Sequence, residues 1–512
     1  MRSLSLIFLL TLSLFSTELK IASYNVENLF DMVNNGTEYD EYKPKKHNWT
    51  RTTLNKKLLN ISEVICDVNA DMIGLQEIEN ENTLKRLQSS LRSAGCFYKY
   101  SAITHKKYSA IQVAFLSKLP IINAKEIEVN KKLKYRNILE VKVMIEHRPL
   151  YLFVNHWTSK RSAESKRMLS AKVLKKRLKS LPKGRDYILL GDFNSDYNEY
   201  KHMEVKHNDT QGKTGINNIL ETVVAHRLVH KKDINLKRNL HYNLWLELPN
   251  FQRWSHNYYG KKQALDSIIL PSSMFDGKGI DYVNNSFKVF KPSYLFHKKG
   301  YINRWQFKRK RHVGKGYSDH LPIVATFSTK AFLSSSSSML RKDVKIEELY
   351  KNKLDASVLL KNIKVIFKSS YHAIVKQSKN GRAIFVYGAD GLEQGKAYDI
   401  LVKESKVYHG LHEIVNFSIV NSYGKRAIDK LFYKGNLDFS NRKLENEVFR
   451  NINGVYRNNS FYIEGKAYKI YFKKKSFRPK NGSKLKLHRV QIGYYDAMQL
   501  VVWDAKDFTI VE

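Results

Sequence analysis

Cysteine is scarce in this chain, with only Cys66 and Cys96 among 512 residues. Neither lies in the apolar N-terminal segment, which excludes lipid anchoring through a cysteine of that segment. An oxidising compartment would permit a disulfide between them, but two buried free thiols fit equally well, and the sequence leaves both alternatives open. The sequence also shows no zinc module and no recognition helix of the kind that reads DNA bases.

Long apolar runs are absent after the first residues. Arg2 forms a short positive region, Leu4 to Phe15 is almost wholly apolar, and small residues suited to cleavage follow. This run is too short for a comfortable membrane span. We therefore expect residues 1–17 to be a signal peptide, with an uncleaved anchor as the alternative. The mature protein is expected to be periplasmic or secreted and to have no stable membrane span.

Negative charge is in short supply. The chain has 89 Lys and Arg against 48 Asp and Glu, a formal net charge of +41, and the basic residues are spread along the chain instead of forming a tail. Such a field attracts polyanions and speeds their capture. A Lys-rich proteome would give the same composition, so the charge supports a nucleic-acid partner without proving it. The length predicts two or more domains.

The most informative segment is 188–194, an apolar strand that ends abruptly in Gly-Asp-Phe-Asn. The core of a strand gains nothing from an acid and an amide, so Asp192 and Asn194 predict chemistry, although ordinary turns begin in the same way. What favours chemistry is that the pattern recurs along the first two-thirds of the chain. Polar side chains also stand at or beside apolar strands at Asn25, Glu27, Glu77, His156, Asp266, Asp319 and His320.

Each of these residues also has a structural interpretation. Glu77 can cap the following segment, and His156 can be a histidine satisfied within the core. Asp266 is harder to dismiss, because a carboxylate among Leu and Ile needs a partner. Together the residues supply carboxylates, amides and two imidazoles, which suit a hard divalent cation and a phosphate. Acid and imidazole groups can then activate water and protonate a leaving oxygen.

Five motifs in a fixed order carry a family resemblance. They are Ser-Tyr-Asn-Val-Glu-Asn, Gly-Leu-Gln-Glu-Ile-Glu-Asn, Val-Asn-His-Trp, Gly-Asp-Phe-Asn-Ser and Tyr-Ser-Asp-His-Leu-Pro. The set resembles the endonuclease/exonuclease/phosphatase superfamily, and most of all its secreted bacterial nuclease branch. The resemblance implies a DNase I-like four-layer α/β sandwich, two packed mixed β-sheets flanked by helices, for a catalytic domain at 18–330.

The resemblance also implies roles for single residues. Glu77 would be the principal Mg²⁺ ligand, and Asp266 would pair with His320. The implied catalytic set is His156, Asp192, Asn194, Asp266 and His320, and the implied metal set is Glu77, Asn25, Asp319 and Glu27. The expected cofactor is Mg²⁺, with Mn²⁺ or Ca²⁺ as alternatives, and one or two metals remain open.

A basic cluster precedes the last motif. Lys308, Arg309, Lys310 and Arg311 can bind the phosphates that flank the cleaved bond, and the neighbouring Tyr301, Trp305 and Phe307 can stack on bases or sugars. The alternative is a mobile, solvated charged insertion. We favour the nucleic-acid-binding interpretation because the cluster lies close to Asp319 and His320 in the sequence.

The C-terminal third has a different texture. Five consecutive serines at 334–338 predict a flexible linker, placed at 331–342. Alternating segments such as 383–387 and a weak internal repeat predict small β-barrels. A Val-Tyr-His-Gly-Leu-His-Glu-Ile pattern resembles OB-fold domains attached to some secreted bacterial nucleases. We expect an OB-fold-like module at 343–425 and a second OB-like β module at 426–512.

The leading hypothesis is a secreted or periplasmic metal-dependent nuclease that hydrolyses nucleic acid, with DNA favoured over RNA, at low sequence specificity and as a monomer. One alternative is a phosphodiesterase or phosphatase of the same superfamily that acts on a phospholipid or inositol phosphate, although no apolar membrane-docking element is evident. Another is a non-catalytic exported DNA-binding protein, against which the intact acidic and histidine positions argue.

Overall fold

The computed structural model describes residues 17–131, 135–234, 239–258, 260–297, 300–329, 343–351, 354, 357–369, 372–389 and 391–511. Residues 1–16 of the predicted signal peptide and the predicted linker lie outside the described residues. The chain divides into two compact units, residues 1–248 with 253–335 and residues 249–252 with 336–512. In the described part of the chain, no helix is long and apolar enough to cross a membrane.

Two mixed β-sheets form the centre of the first unit. The first sheet runs, in spatial order, through β15 (Asp281–Tyr282), β19 (Ile323–Ser328), β1 (Glu18–Leu29), β2 (Met72–Ile78), β4 (Gln112–Ser117) and β3 (Tyr100–Ile103), with β16 (Lys288–Val289) also paired to β19. The second runs through β11 (His241–Asn243), β14 (Asp266–Pro271), β8 (Asp186–Asp192), β7 (Arg148–His156), β6 (Ile138–Ile145) and β5 (Ile121–Ile127).

Helices and short hairpins surround these sheets. The α-helices are α1 (Arg51–Val68), α2 (Glu81–Ser93), α3 (Glu164–Lys179) and the single turn α4 (Glu199–His202). The hairpins pair β9 (Val223–Val224) with β10 (Arg227–Leu228), β12 (His256–Tyr258) with β13 (Lys261–Gln263), and β17 (Phe307–Lys308) with β18 (Arg311–His312).

The apolar residues of the first unit separate into three layers of core. Ile21 of β1 and Leu152 and Ile188 of the second sheet are buried together, so the two sheets pack face to face. The outer face of the first sheet is covered by residues of α1 and α2, and the outer face of the second by residues of α3. Strands covered on both faces need continuous apolar runs, which explains the Ile-Leu-Leu run of β8. The four-layer prediction is confirmed.

The two cysteines form a disulfide. Cys66 lies near the end of α1 and Cys96 lies just beyond α2, with their Cα atoms 5.7 Å apart and a sequence separation of 30. This bond decides between the two alternatives left open by the sequence. It cross-links the two helices that cover the first sheet.

Removing this disulfide is expected to destabilise the catalytic unit. A closed loop of this length restricts the unfolded chain, and the Cys66→Ser/Cys96→Ser variant should lose about 3–4 kcal/mol of unfolding free energy. Urea denaturation of wild type and variant, each with and without dithiothreitol, measures the loss. A wild-type unfolding curve that dithiothreitol leaves unchanged would show that the bond does not contribute.

The second unit contains two small barrels. The first is closed in the order β20 (Val358–Lys368), β21 (His372–Lys376), β22 (Ala383–Tyr387), β24 (Leu411–Lys425) and β23 (Lys396–Tyr408). The second has the order β25 (Val448–Arg457), β26 (Ser460–Ile463), β27 (Lys466–Phe472), β29 (Met498–Val502), β28 (Lys484–Tyr494) and β30 (Phe508–Val511), and β25 also pairs with β28. The prediction of small all-β barrels is confirmed.

Candidate active site

The strand pairings bring the predicted polar residues to one edge of the sandwich. Parallel pairing of β7 with β8 sets His156 opposite Asp192, and antiparallel pairing of β14 with β8 sets Asp266 opposite the same residue. In the other sheet, parallel pairing of β1 with β2 sets Asn25 opposite Gln76, next to Glu77. The position of these side chains therefore depends on the register of the strand pairing, because a slip of one residue would turn them to the other face.

Asn25 connects the two sheets at this edge. Its Nδ2 donates to Glu77 Oε1 at 3.0 Å and to Asp192 Oδ2 at 3.1 Å. Its Oδ1 accepts from the backbone N–H of Glu27 at 3.0 Å, which fixes the orientation of the amide. One buried amide thus holds two carboxylates, from different sheets, at a defined separation.

The Gly-Asp-Phe-Asn segment is shaped by its glycine and its asparagine. Gly191 has φ +131°, and a Cβ there would lie 2.1 Å from the carbonyl oxygen of Asn155, so only glycine fits. Asn194 takes a left-handed conformation, donates its backbone N–H to Asp192 Oδ1 at 2.8 Å and donates Nδ2 to the Trp157 carbonyl at 3.1 Å. These bonds immobilise the Asp192 carboxylate.

Asp266 and His320 form the pair that the sequence predicted. His320 Nδ1 lies 2.8 Å from Asp266 Oδ2, which also accepts from Ser255 Oγ at 2.5 Å. Burial alone would lower the pKa of His320, but the charges of Asp266 and Asp192 raise it well above its ordinary value. These charges favour the protonated imidazolium form of His320, whose Nε2 lies 4.0 Å from Asp192 Oδ2.

His156 is driven in the opposite direction. Burial, together with the positive charges of Arg136 and His320, holds its pKa well below the ordinary value. Its Nε2 lies 3.6 Å from Asp192 Oδ2 and 3.8 Å from Glu77 Oε1. The neutral form is therefore favoured at His156 and the protonated form at His320, which is the division that acid–base chemistry requires.

Three carboxylates crowd the Glu77 side of the site. Burial and the charge of Asp319 raise the pKa of Glu77, and the same two causes raise that of Glu27 to about 7. Asp319 keeps a lowered pKa despite its burial, because histidines and Arg304 surround it. A set of hard oxygen donors that repel one another fits a divalent cation, which would relieve the repulsion.

Within this set, the Glu27 carboxylate binds a neighbouring segment. One of its oxygens accepts from Arg304 and the other accepts from the Trp305 backbone N–H at 3.1 Å. Both oxygens therefore hold the Arg304–Trp305 segment. Glu77, Asn25 and Asp319 remain the predicted ligands that do not contact this segment through two oxygens in this way.

A second group of ligand atoms lies beside the first. Asp192, Asp266 and His320 each present an atom within 4.8 Å of the others, an arrangement that can hold a metal ion. His320 Nδ1 and Asp266 Oδ2 are already bonded to each other, however. This hydrogen bond favours proton transfer as the chemistry of the second group.

Three further residues contact the site and were not predicted. His256 Nε2 lies 3.8 Å from Asp319 Oδ2, and its ring lies 4.6 Å from that of His320, centroid to centroid. Arg136 Nε donates to the His156 carbonyl at 3.0 Å. Arg304 lies 3.2 Å from Asp319 Oδ2. Only His256 carries a sequence signal, since it begins a short alternating segment ten residues before Asp266.

Replacing His256 tests its contact with Asp319. The His256→Phe variant keeps a ring against His320 but removes the imidazole from Asp319, so kcat should fall about 10- to 100-fold while KM changes little. The matched control is His105→Phe, whose side chain is 65% exposed and lies outside the cavity. Equal kcat values for the two variants would show that His256 does not contribute to activity through Asp319.

Glu77, His156, Asp192, Asn194, His256, Asp319 and His320 line a cavity of about 780 Å³. Basic side chains from several segments line it as well. They are Arg136, Lys160, Arg161, Arg167, Lys206, Lys261 and Arg304. Lys160, Lys206 and Lys261 are paired with carboxylates of Glu199 or Glu204 in the same lining. Since each phosphate carries a negative charge, basic side chains at this site suit a phosphate-bearing substrate.

The predicted basic cluster forms the β17–β18 hairpin. Arg309 and Lys310 occupy its turn, both with positive φ, and Lys308 lines a neighbouring cavity with Arg304 and Glu27. Phe307 and Tyr301 are exposed, as stacking requires. Trp305 is not available for stacking, because it is 2% exposed and packs against Trp49 and His312 in the core.

The chain matches the Endonuclease/Exonuclease/phosphatase family over residues 20–329. The match covers more than half of the chain and contains every residue of the acidic centre. The chain therefore belongs to this family, whose members are hydrolases of phosphodiester bonds. A search of curated proteins finds no match.

Several solved structures are similar to about three-fifths of this chain. A humanized D. rerio TDP2 carrying 14 mutations is 16% identical, with 60% of this chain and 98% of that chain covered and a TM-score of 0.39. D. rerio TDP2 complexed with a single-strand DNA product is 16% identical, with 61% and 99% covered and a TM-score of 0.39. A family protein from Leptotrichia buccalis C-1013-b is 15% identical, with 60% and 98% covered and a TM-score of 0.37.

Proposed function

We propose that this protein is an exported, metal-dependent nuclease that hydrolyses phosphodiester bonds, in DNA by preference, with little dependence on sequence. The observation that carries the proposal is the Asp192 carboxylate, whose Oδ2 lies 3.6 Å from His156 Nε2 and 4.0 Å from His320 Nε2. Asn25 joins this group to the Glu77 carboxylate in the same cavity. Family membership supports the reaction class, and the geometry supports the assignment of residues.

Glu77, Asn25 and Asp319 would hold the cation. Mg²⁺ fits this oxygen donor set best, and Mn²⁺ or Ca²⁺ can share it. When bound, the cation supplies stabilisation of negative charge on the phosphate during displacement.

The remaining residues handle water and protons. Asp192, immobilised by Asn25 and Asn194, accepts a proton from the attacking water as its oxygen bonds to phosphorus. His320 donates its Nε2 proton to the leaving oxygen as the phosphorus–oxygen bond breaks, while Asp266 stabilises the imidazolium. Neutral His156 provides a second hydrogen-bonding imidazole beside Asp192. The products are a phosphate monoester and an alcohol.

The substrate and the compartment follow from charge and cysteine chemistry. The net charge of +41 and the basic side chains of the cavity favour a polyanion over a small phosphate ester. The disulfide supports an oxidising compartment, in agreement with a signal peptide at 1–17 and a periplasmic or secreted location. We further propose that the catalytic domain spans 18–330, that the barrels at 343–425 and 426–512 are OB-folds, and that the mature protein is a monomer.

A substrate panel tests the proposal. Purified mature protein with Mg²⁺ is offered linear duplex DNA, single-stranded DNA, RNA, sphingomyelin vesicles and inositol phosphates at equal phosphate concentration, alongside the Asp192→Ala variant. Cleavage of DNA above all others, lost in the variant, is the expected result. Hydrolysis of a lipid or inositol phosphate in its place would contradict the nucleic-acid assignment, and binding of DNA without cleavage of any substrate would contradict catalysis.

A further inference from the structure

A second cavity lies within the C-terminal unit, between its two barrels, and has a volume of about 640 Å³. One wall comes from β22, β23 and β24 of the first barrel, and the other from β27, β28 and β29 of the second. Because side chains alternate along a strand, residues 469, 471 and 473 point to the same side of the second barrel, away from its core. We refer to this cavity as the inter-barrel cleft.

Trp503 forms a rigid floor for the inter-barrel cleft. Its ring stacks on Phe385 of the first barrel, with 5.6 Å between centroids and 22° between planes, and lies 5.1 Å from His372. Its Nε1 donates to Gln491 Oε1 at 2.8 Å. The floor thus combines residues of both barrels, fixed by a hydrogen bond and ring contacts.

Exposed tyrosines line the inter-barrel cleft. Tyr387, Tyr408, Tyr471 and Tyr495 are between 39% and 52% exposed, whereas the aromatic residues of the second barrel's core, such as Phe461 and Phe472, are almost fully buried. The four tyrosines are therefore accessible to a ligand on part of each ring, although Tyr387 also contacts His372 and Tyr408 contacts His409. Tyr495 is held face to face with His409 at 4.1 Å between centroids.

The charge of the inter-barrel cleft is positive. Lys406, Lys469 and Lys473 line it against one carboxylate, Glu413, which lies 3.5 Å from Lys406. Lys473 Nζ stands 4.4 Å from the Trp503 ring and 5.7 Å from the Tyr471 ring. A cation placed between aromatic rings can contact a phosphate while the rings contact the bases on either side.

The combination of exposed tyrosines and lysines fits one kind of polymer. An apolar peptide or a lipid chain would leave the lysines without partners. A DNA duplex keeps its bases stacked within the helix and cannot present their faces to tyrosines. A single strand offers flat aromatic bases and regularly spaced phosphates together, and stacking on aromatic side chains tolerates any base sequence.

We propose that the inter-barrel cleft binds single-stranded nucleic acid by stacking bases on its tyrosines and pairing phosphates with its lysines. This binding site is separate from the catalytic cavity. The proposal rests on the proposed nuclease function only where it names the bound strand as the enzyme's substrate or product. The cleft would retain a strand between successive cleavages. Tyr471, Tyr495 and Lys473 come from the second barrel, and Tyr387 and Tyr408 come from the first.

The test measures fluorescence anisotropy of a labelled oligothymidylate of about 15 nucleotides, which is near the upper site size of one OB-fold. The protein is the full chain carrying Asp192→Ala, in EDTA, so that nothing is cleaved. Tyr471→Ser/Lys473→Gln is compared with the control Tyr462→Ser/Lys480→Gln, which loses the same chemical groups outside the cleft. Tyr387→Ser/Tyr408→Ser is a second cleft variant, used if the first does not give a wild-type circular dichroism spectrum.

The cleft variant should bind about tenfold or more weakly than the control, and the parent should prefer the single strand to a duplex of equal length. Equal affinity of cleft and control variants would overturn the proposal, as would displacement of the oligonucleotide by alginate more readily than by unlabelled single strand. Hydrolysis of bis-p-nitrophenyl phosphate by the Asp192-containing chains is measured in parallel. A chain that binds through the cleft but does not hydrolyse contradicts the nuclease function and leaves the cleft assignment standing.

Discussion

The Asp266→Asn variant is expected to cleave DNA about 10³- to 10⁴-fold more slowly than the wild type, because the loss of a carboxylate that orients a catalytic histidine has an effect of this size. The amide can still bond to His320 Nδ1, so the fold should persist. The amide carries no charge, however, and it can present its N–H to that nitrogen, which would leave the imidazole in the wrong tautomer.

The pH dependence of this variant gives a second readout. The Asp266 charge is the largest of the causes that raise the pKa of His320, so its removal lowers that pKa. A histidine with a raised pKa stays protonated below that pKa and loses its proton as the pH rises through it. The remaining activity of the variant should therefore fall at a lower pH than that of the wild type. Asp281→Asn, which neutralises a buried carboxylate outside the cavity, is the matched control. A dependence of activity on pH that is the same in the variant and the wild type would show that His320 does not transfer the proton.

The Glu77→Gln variant is expected to lose activity by about 10³-fold, since Lewis-acid stabilisation by a metal is worth several kcal/mol. In the absence of metal the variant should be more stable than the wild type. The reason is that burial and Asp319 disfavour the ionised Glu77 carboxylate, and the substitution replaces it with a neutral group.

Thermal unfolding with and without Mg²⁺ separates these two effects. A ligand that binds the folded state raises Tm, so Mg²⁺ should raise the Tm of the wild type and leave that of Glu77→Gln nearly unchanged. In EDTA the Tm of Glu77→Gln should be higher than that of the wild type. The Asp281→Asn control should keep the Mg²⁺ response. A full Mg²⁺ response in Glu77→Gln would place the metal elsewhere, with the Asp192, Asp266 and His320 group as the next candidate.

The sequence was sufficient for the parts of the site that lie on regular strands. Asp192 and Glu77 lie at the ends of apolar runs and Asp266 lies at the start of one, and strand pairing brings them to one edge, where the structure places them. The fold class followed from the same motifs, because their order is characteristic of the family. The two barrels followed from alternation and a weak repeat.

The residues that were missed reach the site through loops and hairpins. Arg136 and Arg304 stand on irregular segments, and which way such a segment turns depends on tertiary packing that no local pattern records. Trp305 was expected to be exposed beside a basic cluster, yet Trp49 and His312 enclose it. Glu27 shares a strand face with Asn25, but Arg304, almost 280 residues later, determines what it binds.

The most direct test of the account is incubation of the mature protein with supercoiled plasmid, in Mg²⁺ or in EDTA, alongside the Asp192→Ala variant. We expect nicking and then linearisation of the plasmid, both of which require the metal and Asp192. A plasmid that stays supercoiled in Mg²⁺ with the wild-type protein would contradict a metal-dependent DNA endonuclease, as would cleavage that persists in EDTA or in the variant.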